Sequence, residues 1–257
     1  MSDTRVELRG TTLWVTFDRP AARNAMTFEM YQALEDAARR ATTDGAVRAM
    51  VITGTGGSFI AGTDISQFTD FKTAEQAYAY EERMERVLGA VEAVPKPVVA
   101  AIAGATTGGG LAIAAVCDLR VATRSATFGM PIARTLGNCL ALANLVRVSS
   151  LIGLARTKEL IFTARIVTAD EARAAGLLNE VVDDDAALAA RVDELVAAMT
   201  SFAPLTLRAT KEGLRRIRER MRPDDDHDLV ALCYTSEDFR EGVRAFIEKR
   251  RPNWKGK

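Results

Sequence analysis

Apolar and polar positions alternate over residues 6–8 and 13–17 on either side of Arg9-Gly10, which predicts a β-hairpin at the start of the chain. From Thr27 the period lengthens. Met30, Leu34, Ala37, Ala38 and Ala41 fall on one helical face, and Glu35/Arg39 and Asp36/Arg40 stand four residues apart, so an amphipathic helix follows. Residues 50–53 form a short apolar run ending at Gly54, a candidate buried strand, and a glycine-rich loop leads from it into Phe59-Ile-Ala-Gly-Thr-Asp64. Thr73 and Gln76 make a capping box ahead of a stripe of Ala77, Tyr80, Met84, Val87 and Val91, and Pro95 and Pro97 stop that helix.

The alternation of strand, loop and helix then recurs. Residues 98–102 read as a strand before a helix at 110–116, and residues 119–122 as a strand before Thr127-Phe128-Gly129 and another helix. Thr168 and Glu171 form a second capping box with Gly176 as its stop, and a strand at 180–182 closes the series. Beyond Asp183 the pattern is helical, over about 186–199, 206–220 and 237–249, the last capped by Ser236. The expectation is an α/β fold of repeated ββα units over residues 1–200, followed by a helical region over 201–257.

Composition acts mainly by exclusion. A chain of 257 residues, 48% hydrophobic, can bury a full core as one large domain or a domain with a helical appendage. Its 34 basic residues balance 34 acidic ones, which leaves no overall electrostatic footprint for nucleic acid or an anionic membrane. The first nine residues are polar and charged, and no apolar run reaches the length of a bilayer span, so a soluble cytoplasmic protein is expected. Cys117, Cys139 and Cys233 are widely spaced without a CxxC pair, which points to reduced thiols. The single histidine, His227, ends the run Pro223-Asp-Asp-Asp-His, read as a solvated loop; no metal site is expected.

Two glycine-containing loops, Ala61-Gly62-Thr63-Asp64 and Gly108-Gly109-Gly110, each follow a strand candidate and could aim backbone N–H groups at one point. The helix expected at Gly110 adds the positive end of its dipole. Such a pair of donors suits an oxyanion; equally, the glycines could serve tight packing of a helix on a strand. Neither a P-loop nor a GxGxxG turn is present, so phosphate-loop chemistry is not indicated.

The stretches Asp18-Arg-Pro-Ala-Ala-Arg-Asn-Ala25, Ser58-Phe-Ile-Ala-Gly-Thr-Asp-Ile65, residues 97–110, Phe128-Gly-Met-Pro131, Ala175-Gly-Leu-Leu-Asn-Glu180 and the run from Ser236 to Arg250 occur together in one order and spacing. In this the chain resembles the crotonase, or enoyl-CoA hydratase/isomerase, superfamily. The resemblance implies a spiral of ββα turns and an acyl-CoA thioester as substrate, with coenzyme A entering as part of it and no prosthetic group. It also implies an oxyanion hole formed by the N–H groups of Thr63 and Gly109, and a coenzyme A cleft lined by Ala22, Arg23, Ala61, Asp64 and Ile65. C-terminal helices would assemble trimers or hexamers, and Phe246 and Lys249 match positions that reach coenzyme A, often from a neighbouring subunit. Two of these residues have local alternatives: Asp64 could cap a short helix at Ile65, and Arg23 could lie exposed or meet a phosphate.

The chain departs from the family pattern where similar hydratases carry two catalytic glutamates: Ala112 stands at one position and Ile132, or Ala133 in a register one residue later, at the other. Neither alanine nor isoleucine can move a proton, so the two-glutamate hydration mechanism is in doubt and an acid/base group elsewhere is expected. The polar segment Arg134-Thr-Leu-Gly-Asn-Cys139 occupies the stretch where an active-site helix would begin. Cys139 could be a nucleophile or proton carrier if a helix N-terminus and Arg134 lower its pKa, or simply a small packed hydrophobe; Arg134 and Asn138 are rival polar candidates. Asp70 and Glu75 are further carboxylates beside a helix start. The expected activity is a lyase or isomerase acting on an acyl-CoA enolate, with a Cys139-dependent hydrolase and a non-catalytic acyl-CoA binder as alternatives.

Overall fold

A computed structural model describes residues 3–69, 71, 73–221 and 226–257. The predicted hairpin is β1 (Thr4–Arg9) and β2 (Thr12–Phe17), antiparallel with Thr4 opposite Phe17, and α1 (Phe28–Thr43) follows with Thr27 as its N-cap. Three turns of strand, strand and helix come next. They run β3 (Ala49–Gly54), β4 (Ser58–Ile60) and α2 (Ala74–Glu92); β5 (Val98–Ile102), β6 (Ala105–Thr107) and α3 (Gly109–Val116); then β7 (Leu119–Thr123), β8 (Thr127–Gly129), α4 (Ile132–Thr135) and α5 (Leu142–Phe162). The spiral closes with β9 (Ile166–Thr168), α6 (Ala169–Ala174) and β10 (Glu180–Val182), and the chain ends in α7 (Asp185–Ser201), α8 (Pro204–Glu219), α9 (His227–Tyr234) and α10 (Glu237–Ile247).

Each turn contributes one strand to each of two sheets. The larger sheet has the order β1-β2-β3-β5-β7-β10, parallel from β2 onward, and the smaller has the order β4-β6-β8-β9, parallel except for β9. Strands covered on both faces read as unbroken apolar runs, which is why residues 50–53 and 98–102 showed no alternation. Successive side chains nevertheless part company: Met50 and Ile52 enter the main core with Leu34 and Val91, while Ala49 and Val51 face Leu188, Val192 and Val196 of α7.

Both capping boxes form, at Thr73/Gln76 and Thr168/Glu171, and Gly176 follows α6 with φ +88°. Two local expectations are corrected. The segment from Arg134 to Cys139 does not begin a helix: α4 ends at Thr135, residues 136–141 are irregular, and the long helix starts only at Leu142. His227 is not in a loop; it opens α9 and stacks on Tyr78 with ring centroids 4.2 Å apart. Asp70 and the run from Pro223 to Asp225 lie outside the described residues.

Candidate active site

The loop after β4 is laced to the chain ahead of α1: Met26 N–H donates to the Gly62 carbonyl at 2.8 Å, and Asp64 N–H to the Met26 carbonyl at 2.9 Å. In this one-residue parallel bridge both bonds are made by the neighbours of Thr63, so the Thr63 N–H turns to the opposite side. There it meets the start of α3. Gly109 is the first helical residue, whose N–H has no partner within a helix, and Gly108 before it takes φ +53°. A Cβ built on Gly109 would lie 3.7 Å from the Thr63 nitrogen and 2.4 Å from the Tyr31 hydroxyl. Among the described residues neither the Thr63 nor the Gly109 N–H donates to a protein acceptor. Gly110 answers to packing instead, since its Cβ would stand 2.1 Å from the Ile60 carbonyl oxygen.

These two loops form one wall of a cleft of about 820 Å³ that is also lined by Tyr80, Glu81, Met84 and Leu88 of α2, Ala112 of α3, and Tyr234 of α9. Hydroxyl groups gather beside the paired N–H groups: Thr63 Oγ1 is 2.8 Å from the Tyr31 hydroxyl and 3.3 Å from that of Tyr80. Burial pushes the Tyr31 pKa up to about 12 and that of Tyr80 well above its ordinary value, so both remain neutral hydroxyls.

A second polar group lies beside the first. Asn138 Nδ2 donates to the Tyr234 hydroxyl at 3.2 Å, and that hydroxyl donates to Glu81 Oε1 at 2.5 Å. Glu81 keeps some accessible surface as a residue of the cleft wall, but the atoms packed around it strip most water from its carboxyl. That burial raises its pKa to about 7; the Tyr234 hydrogen bond works against the rise, and the charges of Asp226 and Glu85 add to it.

The twelve residues assigned from the sequence to the oxyanion hole, the coenzyme A cleft and the polar segment at 134–139 all line this cleft. Ala22 ends a short 3-10 turn, and Arg23, with φ +50°, leaves its side chain exposed. Buried Asn24 fixes that turn by donating to the Thr55 and Ser58 carbonyls at 2.9 and 2.8 Å. Asp64 caps the turn at Ile65–Phe68: its Oδ1 accepts from Ser66 N–H at 3.1 Å, and its Oδ2 pairs with Arg19 at 2.7 Å. Phe246 and Lys249 reach the cleft of their own chain. Arg134 is exposed on α4. The Cys139 thiol donates to the Leu229 carbonyl at 3.6 Å and its pKa is raised by its contact with Cys233 and by burial, while the same contact lowers that of the Cys233 thiol. Ile132 and Ala112 present alkyl groups to the cleft, whereas Ala133 is exposed and does not line it; Glu75 is exposed in the first turn of α2.

Sequence reasoning missed Tyr31, Glu81 and Tyr234. Tyr80 appeared only as part of an apolar stripe, and a glutamate next to such a stripe is indistinguishable in sequence from a solvated neighbour such as Glu82. Among the described residues no helix is long and apolar enough to cross a membrane, and no group of three or more His, Cys, Asp or Glu could hold a metal.

The sequence model of the enoyl-CoA hydratase/isomerase family matches residues 7–257. The chain belongs to that family. It is 34% identical over 244 residues to a crotonyl-CoA hydratase of Syntrophomonas wolfei, a match covering 92% of each chain. Among solved structures it resembles an enoyl-CoA hydratase/carnithine racemase from Magnetospirillum magneticum, with TM-score 0.81 and 33% identity over 100% of this chain and 97% of that one. It also resembles a methylmalonyl-CoA decarboxylase in complex with 2-nitronate-propionyl-CoA, with TM-score 0.87 and 28% identity over 100% and 99%. The fold is thus that of the crotonase superfamily, and family members process acyl-CoA thioesters.

Proposed function

We propose that this chain binds an acyl-CoA thioester, holds its carbonyl oxygen between the N–H groups of Thr63 and Gly109, and catalyses a lyase or isomerase reaction through the enolate so stabilised. The observation that supports the reading is the close approach of the two loops, a Cβ on Gly109 falling 3.7 Å from the Thr63 nitrogen, with both N–H groups free of a protein acceptor among the described residues at the wall of one cleft. Fixed donors aimed at a developing oxyanion act without reorganisation, and loss of one costs roughly 100- to 1000-fold in rate.

Coenzyme A would enter with the substrate, and no further prosthetic group or metal is called for. Arg23 and Lys249 at the cleft supply cations for its phosphates, and Phe246 an apolar surface. The methyl of Ala112 and the branched chain of Ile132 cannot exchange protons, so the proton carrier is another side chain. The active form is an oligomer, a trimer or hexamer, in a soluble cytoplasmic protein.

Titration calorimetry with crotonyl-CoA, followed by turnover of a panel of enoyl-CoAs read as loss of the conjugated thioester absorbance, tests this reading. Binding and turnover are expected. Gly109→Ala, whose methyl would stand 2.4 Å from the Tyr31 hydroxyl and 3.1 Å from Thr63 Oγ1 and so push the start of α3 away from the Thr63 loop, should lower turnover by roughly 100-fold or more. A folded protein that binds no acyl-CoA would sink the proposal, and binding without turnover across the panel would point to a different acyl-CoA reaction or a non-catalytic binder.

A further inference from the structure

Among the described residues two carboxylates line the cleft, Asp64 and Glu81. Asp64 is fully occupied: one oxygen accepts from the Ser66 N–H and hydroxyl, the other from Arg19, and these contacts hold its pKa below the ordinary value even against partial burial. Glu81 is not. One oxygen accepts from the Tyr234 hydroxyl at 2.5 Å, and among the described residues its carboxyl makes no other hydrogen bond.

Its neighbours set it apart from a structural ion pair. Tyr234 reaches it from α9, Asp226 stands just before that helix, and Cys139 comes from the irregular segment ahead of α5. Glu85, one turn along α2, spends its own charge on Arg147 of α5 at 2.6 and 2.9 Å. No cation pairs with Glu81 among the described residues. Tyr80, the adjoining residue on α2, puts its hydroxyl 3.3 Å from Thr63 Oγ1, and Glu81 lines the same cleft as the Thr63 loop.

We propose that Glu81 is the catalytic acid/base that moves the proton at the carbon next to the thioester carbonyl, with Tyr234 and Asn138 as positioning residues. The assignment rests on the acyl-CoA reading above. In the forward step the ionised carboxylate takes the α-proton, the C–H electron pair becomes the carbon–carbon π bond of the enolate, and the carbonyl π pair moves onto oxygen, facing the Thr63 and Gly109 N–H groups. On reversal the electrons return and the neutral carboxyl gives a proton back to carbon. A carboxyl whose pKa sits near 7 can be found in either form at neutral pH, the condition under which one group both takes and returns a proton. Tyr234 holds one oxygen by donating to it, Asn138 holds Tyr234, and the other oxygen is left for substrate.

Two probes separate this assignment from the reading beneath it. Acetoacetyl-CoA, whose enolate absorbs in the near ultraviolet, reports on the oxyanion site at equilibrium; butyryl-CoA in D₂O reports by mass the rate of α-deuterium incorporation. Wild type should show the enolate band and should exchange, with a rate that rises with pH and levels off above about 7. Glu81→Gln, nearly equal in size, should keep the band and lose exchange by roughly 100-fold or more. Tyr234→Phe should move the pH midpoint of exchange upward, because the lost hydroxyl favours the ionised carboxylate; a purely structural role would leave the midpoint in place. Exchange by Glu81→Gln within a few-fold of wild type overturns the assignment while leaving the acyl-CoA site standing, as does a wild type that forms the band but never exchanges. Absence of both band and binding in wild type overturns the acyl-CoA reading, and Glu81 falls with it.

Discussion

A carboxyl whose pKa is raised by folding carries a stability signature that needs no substrate. Glu81 titrates near 4.5 when unfolded and near 7 in the native protein, so between those values the native state holds more protons than the unfolded one. Its contribution to stability is therefore fully present below about pH 4.5 and is lost as pH rises through 7, by at most about 3 kcal/mol. Glu81→Gln escapes that loss, and its amide oxygen can still accept the Tyr234 hydroxyl. Thermal unfolding should thus show the variant more stable than wild type at pH 8, with the gap closing toward pH 5; equal offsets at both pH values would show that the native carboxyl titrates normally. The loops that carry Thr63 and Gly109 were legible because glycines after strands mark backbone that must approach something closely, whereas the choice of those two N–H groups came from the family resemblance. Glu81 was not legible, since its meaning comes from Tyr234, 153 residues away.

At the scale of elements, local signals that act within one turn were the legible ones. Thr27, Thr73, Thr168 and Ser236 each cap the helix that follows, because a side-chain oxygen there satisfies an orphan N–H whatever the rest of the fold does. The stretch around residues 136–141 was misread for the converse reason: its course is set by tertiary contacts such as the Leu142 N–H donating to Asp226 at 2.7 Å, which no local pattern announces. The glycine triplet carried two meanings that sequence could not divide. Gly110 seats α3 against β4, and its missing Cβ is what allows the helix within reach of the Ile60 carbonyl. Gly110→Ala should force α3 off that strand and cost about 1–3 kcal/mol or more, read as a lower urea midpoint. An unchanged midpoint would mean that α3 shifts freely on β4.

The whole molecule joins what the sequence divided at residue 200. Phe68 and Tyr80 of the spiral pack with Tyr234 and Phe239 of the C-terminal helices in one aromatic cluster, with Phe68 and Tyr80 centroids 5.0 Å apart and Tyr234 and Phe239 centroids 4.8 Å apart. The C-terminal region therefore completes the cleft as well as extending the chain. One element does not take part. No residue of α8 is buried, although Lys211 ties it to Asp118 at 2.7 Å, and Leu214 and Ile217, with Met221 just beyond its end, form an apolar stripe at helical spacing with exposures of 63, 64 and 60%. A stripe of that kind, alongside exposed Leu205, Leu229 and Leu232, is what a helix shows when its covering surface belongs to another copy of the chain. Light scattering coupled to gel filtration should therefore give a mass several times that of one chain, and Leu214→Asp with Ile217→Asp, which would bury unpaired charge in such an interface, should bring it down. A wild-type mass of one chain at micromolar concentration would mean that this face stays in water, and the apolar stripe of α8 would then need an explanation other than self-association.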